Sequence, residues 1–290
     1  MKKNYDVIGI VFIALLFGFS FPLQSLGAKY VAPFSFNVIK YIIAIITMLP
    51  FCLRKTNTSL KDEIKYGVII GALIFVFSYL QQVVAVYLPA GKVGFITTMY
   101  IIEVPLINYF VFKKRIKLQT ALSIVISLFG LVLLCDVRDF NFSIYDILTI
   151  VCSLTLAVQI IVLGKYCTNC DPFKLNMFNF IFTLIASLIG AIVTKETLNF
   201  EGYKLALIPM IYNGLGCSTI GETLQTHCQK TVDATTVSLI MSTESIFSLI
   251  GGYLILHETL TTREFIGCVI MFVGVILCIT DTSKKKKKES

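Results

Sequence analysis

Charged side chains are scarce in this sequence, and tryptophan is absent altogether. Only 14% of the 290 residues are Asp, Glu, Lys or Arg, and 56% are hydrophobic, whereas soluble domains carry roughly 25% charged residues. So little polar surface cannot keep a chain of this length dissolved as a monomer. Polar linkers between the apolar stretches are also lacking, so we expect one membrane domain rather than several soluble ones.

Motifs for catalysis, nucleotide hydrolysis and metal binding are also lacking. No GxxxxGK[ST] nucleotide-binding loop occurs, and the two histidines, His227 and His257, form no metal-binding pattern. Cys167 and Cys170 make one isolated CxxC, while most other cysteines lie singly in apolar runs, where cysteine behaves as a small hydrophobe. We therefore predict no catalytic residue, no metal and no cofactor.

Long apolar runs dominate what is present. A transmembrane helix needs ~20 apolar residues to cross ~30 Å of hydrocarbon, and helices satisfy their own backbone polar groups within lipid. We therefore predict an all-α integral membrane protein with ten transmembrane helices. The predicted spans are residues 7–27, 34–53, 64–86, 92–112, 117–135, 144–164, 174–194, 205–226, 234–256 and 262–280.

Basic residues are distributed unevenly over the joints between these spans. If the N-terminus lies inside, 18 of the 25 Lys and Arg residues fall in inside segments and six in outside loops. This bias predicts a multi-pass protein of the plasma (cell inner) membrane with both termini cytoplasmic. The lysines of residues 284–288 then form a solvated tail that can attract anionic lipid. The net charge of +8 gives no reason to expect a nucleic-acid partner.

The sequence repeats itself at an offset of 144 residues. Gln81 meets Gln225 at this offset, and a matched polar residue within a span is a rarer coincidence than a matched leucine. Residues 28–30 pair with residues 164–166 at a slightly shorter offset, so the first span has a counterpart. That span is therefore retained, although it resembles a signal peptide. Further matches are Ala90 with Ala234, Val93 with Val237, Ile96 with Ile240, Tyr109 with Tyr253, Gly130 with Gly274, and residues 33–37 with residues 172–176.

Two repeats of five spans each follow from this comparison. We predict a first repeat at residues 1–140, a second at residues 141–281, and a cytoplasmic poly-lysine tail at residues 282–290. Because five is odd, the second copy must enter the membrane from the opposite side. Inverted repeats are a recurrent architecture of transporters, in which the two halves exchange conformations and open a central site to either side in turn.

Short motifs of one family recur along nearly the whole chain: Phe17-Gly18-Phe19-Ser20-Phe21, Gln81, Ala90-Gly91-Lys92, Gln225, Ala234-Thr235-Thr236, Ser242-Thr243-Glu244, His257-Glu258-Thr259-Leu260 and Gly274-Val275. They resemble the drug/metabolite transporter (DMT) superfamily, specifically its EamA-type ten-helix members. The resemblance implies ten helices, cytoplasmic ends, a central cavity and transport of small metabolites, often export. Three positions depart from that pattern, because Phe17 replaces the usual Trp, Lys40 a frequent Arg and Lys114 a frequent Glu.

Polar side chains within the spans are the candidate site, because a charge at mid-bilayer costs ~2.5–3.5 kcal/mol or more. Glu244 lies near the middle of the ninth span, and its partner at the 144-residue offset is Tyr100. A central site at the repeat interface is expected in inverted-repeat transporters. The predicted substrate-binding residues are Gln81, Tyr100, Gln225, Glu244, Glu222, Glu103, Ser20 and Gln159.

Glu222 belongs to a polar face of the eighth span that has two interpretations. Gly214, Ser218, Glu222 and Gln225 share one side of an α-helix, which could line a cavity or form an interhelical hydrogen-bonded cluster. Glu222 or Glu244 could balance a substrate ammonium group, or could take up a proton because burial disfavours the charged carboxylate.

Two other ionisable residues also allow alternatives. Glu103 lies one helical turn from Tyr100 and could extend the site or bond to a neighbour. Lys40 is expected to snorkel to the outer interface rather than to bind a carboxylate.

These observations predict a secondary active transporter of small polar metabolites, with amino-acid-like or amine-bearing solutes favoured. We expect an exporter that works by alternating access, with the lipid bilayer as its environment and protons as a candidate coupling ion. A non-transporting membrane sensor or structural protein is the first alternative, and a membrane-embedded lipid-modifying enzyme is the second. The oligomeric state is not predicted.

Overall fold

The computed structural model describes residues 2–113, 116–134, 143–197, 199–257 and 261–289. Within these ranges it describes side chains from residue 5 to residue 278, apart from position 134. These residues are mostly helical, and no strand occurs among them. The predicted repeat boundary at residues 140 and 141 lies outside the described residues, as do Lys114, residues 258–260 and the side chains of the lysine tail.

Fourteen α-helices are described in these ranges. A 3-10 turn at Cys167–Asn169 follows the seventh helix, and a π-helical segment at Tyr212–Glu222 joins the tenth to the eleventh. The helices are α1 (Lys2–Ala28), α2 (Pro33–Cys52), α3 (Leu60–Tyr87), α4 (Ala90–Thr97), α5 (Tyr100–Phe112), α6 (Leu118–Leu134), α7 (Ile144–Tyr166), α8 (Pro172–Val193), α9 (Phe200–Leu205), α10 (Leu207–Ile211), α11 (Thr223–Cys228), α12 (Ala234–Met241), α13 (Glu244–Leu256) and α14 (Thr262–Glu289).

Seven stretches of the described chain are helical, long and apolar enough to cross a membrane: Tyr5–Ala28, Pro33–Cys52, Leu60–Tyr87, Ala90–Phe112, Ile144–Asn169, Pro172–Val193 and Ala234–Leu256. The protein is therefore an all-α, multi-pass membrane protein. The other three predicted spans coincide with α6, with the series from α9 to α11, and with α14. The count of ten spans stays a prediction.

Carboxylates cap helix starts at both ends of the bundle. At the end where α1 begins, called the first end here, Glu63 accepts the N–H of Asp171 at 3.0 Å, just before α8. At the opposite, second end, Glu196 accepts the N–H of Ser35 at 2.7 Å in the first turn of α2. The first N–H groups of a helix lack partners within the helix, and negative charge is favourable there. Each cap therefore joins the first half of the chain to the second.

Two membrane-length units are broken in the same way. The breaks separate α4 from α5 and α12 from α13. At each break an N–H, of Met99 in one unit and of Thr243 in the other, donates to the carbonyl three residues earlier at 3.1 Å. The helices have 8 and 13 residues in both units. Both units also end in a left-handed residue, Lys113 at φ 54° and His257 at φ 56°.

The helices α6 and α14 pack against each other at two glycines. A Cβ atom added to Gly130 would lie 2.6 Å from the backbone nitrogen of Met271. One added to Gly274 would lie 2.9 Å from the backbone nitrogen of Ser127. Real Cβ atoms do not approach backbone so closely, so this interface requires glycine at both positions.

The π-helical segment Tyr212–Glu222 corrects one expectation from the sequence. An α-helical face through Gly214, Ser218 and Glu222 was predicted, but this stretch has the wider turns of a π-helix, a rare geometry that occurs often at functional sites. A Cβ added to Gly214 would lie only 2.7 Å from the carbonyl oxygen of Lys40, so this position packs tightly against α2. Glu222, at the end of the segment, still points into the centre of the bundle.

Candidate functional site

A buried cavity lies at the centre of the bundle, between α1, α2, α3, α7, the π-helical segment, α11 and α13. Its volume, counted as the space that the centre of a water molecule can occupy, is about 40 Å³. The cavity can therefore hold a few waters, since each needs roughly 10–15 Å³ on this measure. Five apolar side chains line one part of its wall: Phe17, Phe21, Ile74, Phe77 and Leu156. The polar lining consists of Ser20, Gln24, Lys40, Ser78, Gln81, Asn213, Cys217, Glu222, Gln225 and Glu244.

Glu244 reaches this cavity because it is the first residue of α13, directly after the break. A carboxylate is electrostatically favourable at a helix N-terminus. Tyr100 donates a hydrogen bond to Glu244 Oε1 at 2.9 Å. Tyr100 itself is fully buried and is absent from the cavity lining. In this conformation the tyrosine therefore lies behind the carboxylate and orients it, and its role in binding substrate stays a prediction.

Glu222 enters the cavity from the end of the π-helical segment. Asn179 on α8 donates to Glu222 Oε2 at 2.8 Å. Lys40 is only 7% exposed and lines the same cavity. The expectation that Lys40 snorkels to the outer interface is wrong, because its side chain is buried in the cavity that Glu222 also lines.

Gln225 lies within a group of three glutamines, Gln159, Gln225 and Gln229, called the amide cluster here. The Gln225 amide donates to Gln159 at 3.5 Å and to Gln229 at 3.3 Å. Gln229 in turn donates to the carbonyl of Ile160 at 2.9 Å. Gln225 lines the cavity, whereas Gln159 contacts it only through Gln225. The predicted pair Gln81 and Gln225 is brought together at the same cavity.

Ser20 lines the cavity as predicted and belongs to a polar layer on α1. Its hydroxyl donates to the carbonyl of Phe17 at 2.6 Å, one turn earlier. Gln24, one turn later, donates to Asn213 at 2.8 Å. Asn213 was not among the sequence candidates, because its glycine-rich, weakly apolar surroundings gave no sign that the side chain points inward.

Glu103 bonds to a neighbouring side chain, which is one of the two roles expected for it. Its carboxylate accepts a hydrogen bond from Ser153 on α7 at 2.8 Å, and it is absent from the cavity lining. In this conformation Glu103 joins α5 to α7, and its role in binding substrate stays a prediction.

An ion pair and a pair of stacked rings lie at the second end of the bundle. Lys92 and Asp146 form an ion pair at 2.7 Å, in which the Asp146 side chain is fully buried. Beside it, Tyr87 and Tyr145 stack with ring centroids 4.0 Å apart. Tyr145 packs on the apolar cluster that contains Phe21, which lines the cavity. We call Lys92, Asp146, Tyr87 and Tyr145 the second-end closure.

A second, open cavity lies at the first end and is called the vestibule here. Its volume is about 420 Å³ on the same measure, and its lining includes Gln229, Lys165, Lys230 and Asp233. Gln229 lines the vestibule and Gln225 lines the central cavity, so the hydrogen bond between them forms part of the wall that separates the two spaces.

A membrane-embedded helical bundle with a polar central cavity, closed towards one end and walled by amides towards the other, is the class of structure that transporters have. The family comparison agrees. The sequence profile of the EamA-like transporter family matches residues 5–135 and 143–280, and the chain belongs to this family.

Relatives across nearly the whole length carry the same general description. An uncharacterized transporter of Archaeoglobus fulgidus is 26% identical over 277 residues, covering 96% of this chain and 86% of the relative. An uncharacterized transporter of Clostridium kluyveri is 26% identical, and the match covers 98% of this chain and 95% of the relative. The crystal structure of a protein that is 14% identical superposes with a TM-score of 0.74, and the match covers 97% of this chain and 98% of that protein's chain. This likeness supports the fold. These descriptions indicate a transporter rather than an enzyme.

Proposed function

We propose that this protein is a secondary active transporter that exports small polar metabolites, with amino-acid-like or amine-bearing solutes favoured. The observation that carries the proposal is the buried central cavity that holds Glu244, Glu222 and Lys40. Charged groups in a membrane interior are costly, and a solute or a proton that binds them gives a physical reason for their presence. Export rests on the resemblance to EamA-type exporters.

The proposed architecture is ten spans in two inverted repeats, residues 1–140 and 141–281, followed by the tail 282–290. The matching breaks of α4–α5 and α12–α13 support it, as does the family profile that matches the chain twice. The glycine contacts of α6 and α14 also support it. At the offset of 144, Gly130 corresponds to Gly274 and Ser127 to Met271, so the contact of Gly130 with Met271 is equivalent to the contact of Gly274 with Ser127.

Alternating access is the proposed mechanism. The second-end closure blocks one route to the cavity, and the amide cluster blocks the route to the vestibule. The bonds of the amide cluster are long, at 3.3 and 3.5 Å, and therefore weak, so this wall is the easier one to open. The bias in Lys and Arg counts supports a cytoplasmic location of the first end, with both chain termini, in a plasma-membrane protein.

Proton coupling is the proposed energy source, with Glu244 as the residue that exchanges a proton or a substrate ammonium group. Its contact with a neutral tyrosine hydroxyl leaves the carboxylate without a fixed cation at hydrogen-bond distance among the described residues.

The proposal can be tested in proteoliposomes that contain the purified protein. Amino acids and amines are supplied under an imposed pH gradient, and their movement is compared with Glu244→Gln and with Glu201→Gln, an exposed surface carboxylate. We expect transport by the wild type and by Glu201→Gln, and none by Glu244→Gln although it inserts and folds. Absence of movement of every solute in the wild type would favour the alternative of a non-transporting sensor.

A further inference from the structure

The two halves differ in charge at the central cavity. Residues 33–37 align with residues 172–176, and the same alignment pairs Lys40 with Asn179. The 144-residue offset pairs Ser78 with Glu222. Where the first half carries a lysine and a serine, the second half therefore carries an asparagine and a glutamate.

These unlike residues meet at Glu222. Asn179 approaches from α8 and donates to Glu222 Oε2 at 2.8 Å, and Thr183 in turn contacts the Asn179 side-chain oxygen at 3.3 Å. Lys40 approaches from α2 and lines the same cavity, where opposite charges attract each other. Glu222 is thus held by one helix and shares the cavity with a basic side chain on another.

A buried charge without a partner is strongly unfavourable. Lys40 is 7% exposed and Glu222 is 8% exposed, so each is stabilised by an opposite charge in the same cavity. Glu244 has a different partner, because Tyr100 donates a hydrogen bond but carries no charge. When all three groups are ionised, the positive charge of Lys40 offsets the negative charge of Glu222. One negative charge then remains, at Glu244.

We propose that Asn179 positions Glu222 as the counter-charge of Lys40, so that Glu244 alone presents charge to the solute and the cavity selects monovalent organic cations over zwitterions and anions. This inference rests on the proposed transport function and narrows its substrate class to amines without a carboxylate. The aromatic wall of Phe17, Phe21 and Phe77 suits such a cation, because a ring face attracts positive charge.

Cys217 supplies a probe of this charge that needs no knowledge of the natural substrate. Cys217 lines the cavity together with Lys40, Glu222 and Glu244, so a charged reagent that reaches its thiol also experiences their field. Cationic and anionic methanethiosulfonate reagents of similar size can be applied to the full-length protein in membranes. Modification of the Cys217 peptide is followed by mass spectrometry, so the other cysteines do not interfere.

We expect the cationic reagent to modify Cys217 about ten-fold faster than the anionic one, since a unit charge within ~10 Å changes a local concentration by this order. Lys40→Gln should raise the ratio of the two rates, while Glu222→Gln and Glu244→Gln should lower it. The double variant Lys40→Gln, Glu222→Gln should restore the wild-type ratio and recover thermal stability lost in either single variant.

Asn179→Leu tests the positioning role, because it removes the donor at nearly constant volume. It should lower the ratio of rates in the wild type but not in a Glu222→Gln background, a dependence that a purely structural role would not produce. An anionic reagent as fast as the cationic one, or a double variant that does not recover, would overturn the inference. No modification by either reagent would instead contradict the opening of the cavity, and so the transport function itself.

Discussion

Tyr100 and Glu244 are hydrogen-bonded at 2.9 Å although 144 residues separate them. This separation equals the offset at which the sequence repeats, so each residue contacts its own counterpart. Two equivalent positions related by a two-fold axis can meet only close to that axis. The bond lies next to the central cavity, which is where the proposed inverted repeat requires its symmetry axis.

Tyr100→Phe should impair transport more than it impairs folding. The substitution keeps the ring and removes the one hydroxyl that orients Glu244, and a hydrogen bond to a charged group contributes ~1.5–3 kcal/mol. We expect a decrease in transport rate of about ten-fold or more, measured by solute flux in proteoliposomes. Tyr253→Phe is a suitable control, because its ring is on the exposed surface of α13; an equal loss in both variants would contradict the role of Tyr100.

The pairing of Tyr100 with Glu244 and of Gln81 with Gln225 could be found from the sequence, because the offset is constant across the second part of each half. The position of Tyr100 behind Glu244 could not. A repeat alignment places residues by chain position, whereas the break before α13 decides which of the two side chains reaches the cavity. Neither break is marked by a proline or glycine at the junction, so nothing in the local sequence predicted it.

Lys40 and the π-helical segment show a second limit. Hydropathy measures how deep a residue lies along a span, and by depth alone Lys40 could reach the interface. In the structure it lies in a cavity whose lining includes Glu222, a residue from a distant part of the chain. Likewise, the wider turns at Tyr212–Glu222 depend on packing against α1 and α2, which a hydrophobic pattern does not reveal.

Lys92→Gln should open the second end of the bundle. The substitution leaves the buried carboxylate of Asp146 without its ion-pair partner, and an uncompensated buried charge is strongly unfavourable. We expect a membrane-impermeant thiol reagent, added outside intact cells, to modify Cys217 faster than in the wild type. Lys204→Gln is the matched control, because its ion pair with Glu201 is exposed at the same end and contributes little. Equal rates in the wild type and in Lys92→Gln would contradict the role of this ion pair as a closure.

Gln229→Ala should open the wall between the vestibule and the central cavity. It removes the hydrogen bonds to Gln225 and to the Ile160 carbonyl, and leaves space where the amide stood. We expect faster modification of Cys217 in inside-out membrane vesicles, where the first end faces the reagent. Gln119→Ala removes an amide that bonds to Leu277 on α14, away from the cavity, and should leave this rate unchanged. If both variants behave alike, the amide cluster does not separate the two spaces.

Gly130→Ala and Gly274→Ala should each destabilise the protein by a similar amount. An added Cβ would lie 2.6 Å from the backbone of Met271 in the first case and 2.9 Å from that of Ser127 in the second. Backbone cannot move aside as a flexible side chain can, so α6 and α14 must separate, and overpacking of this kind costs ~1–3 kcal/mol. Gly91→Ala is the control, because a Cβ there meets no atom within 4 Å. Thermal unfolding in detergent should show lower transition temperatures for the first two variants and an unchanged transition temperature for the third. A loss at Gly130 alone would argue that the two contacts are not equivalent, and would weaken the two-fold relationship between the halves.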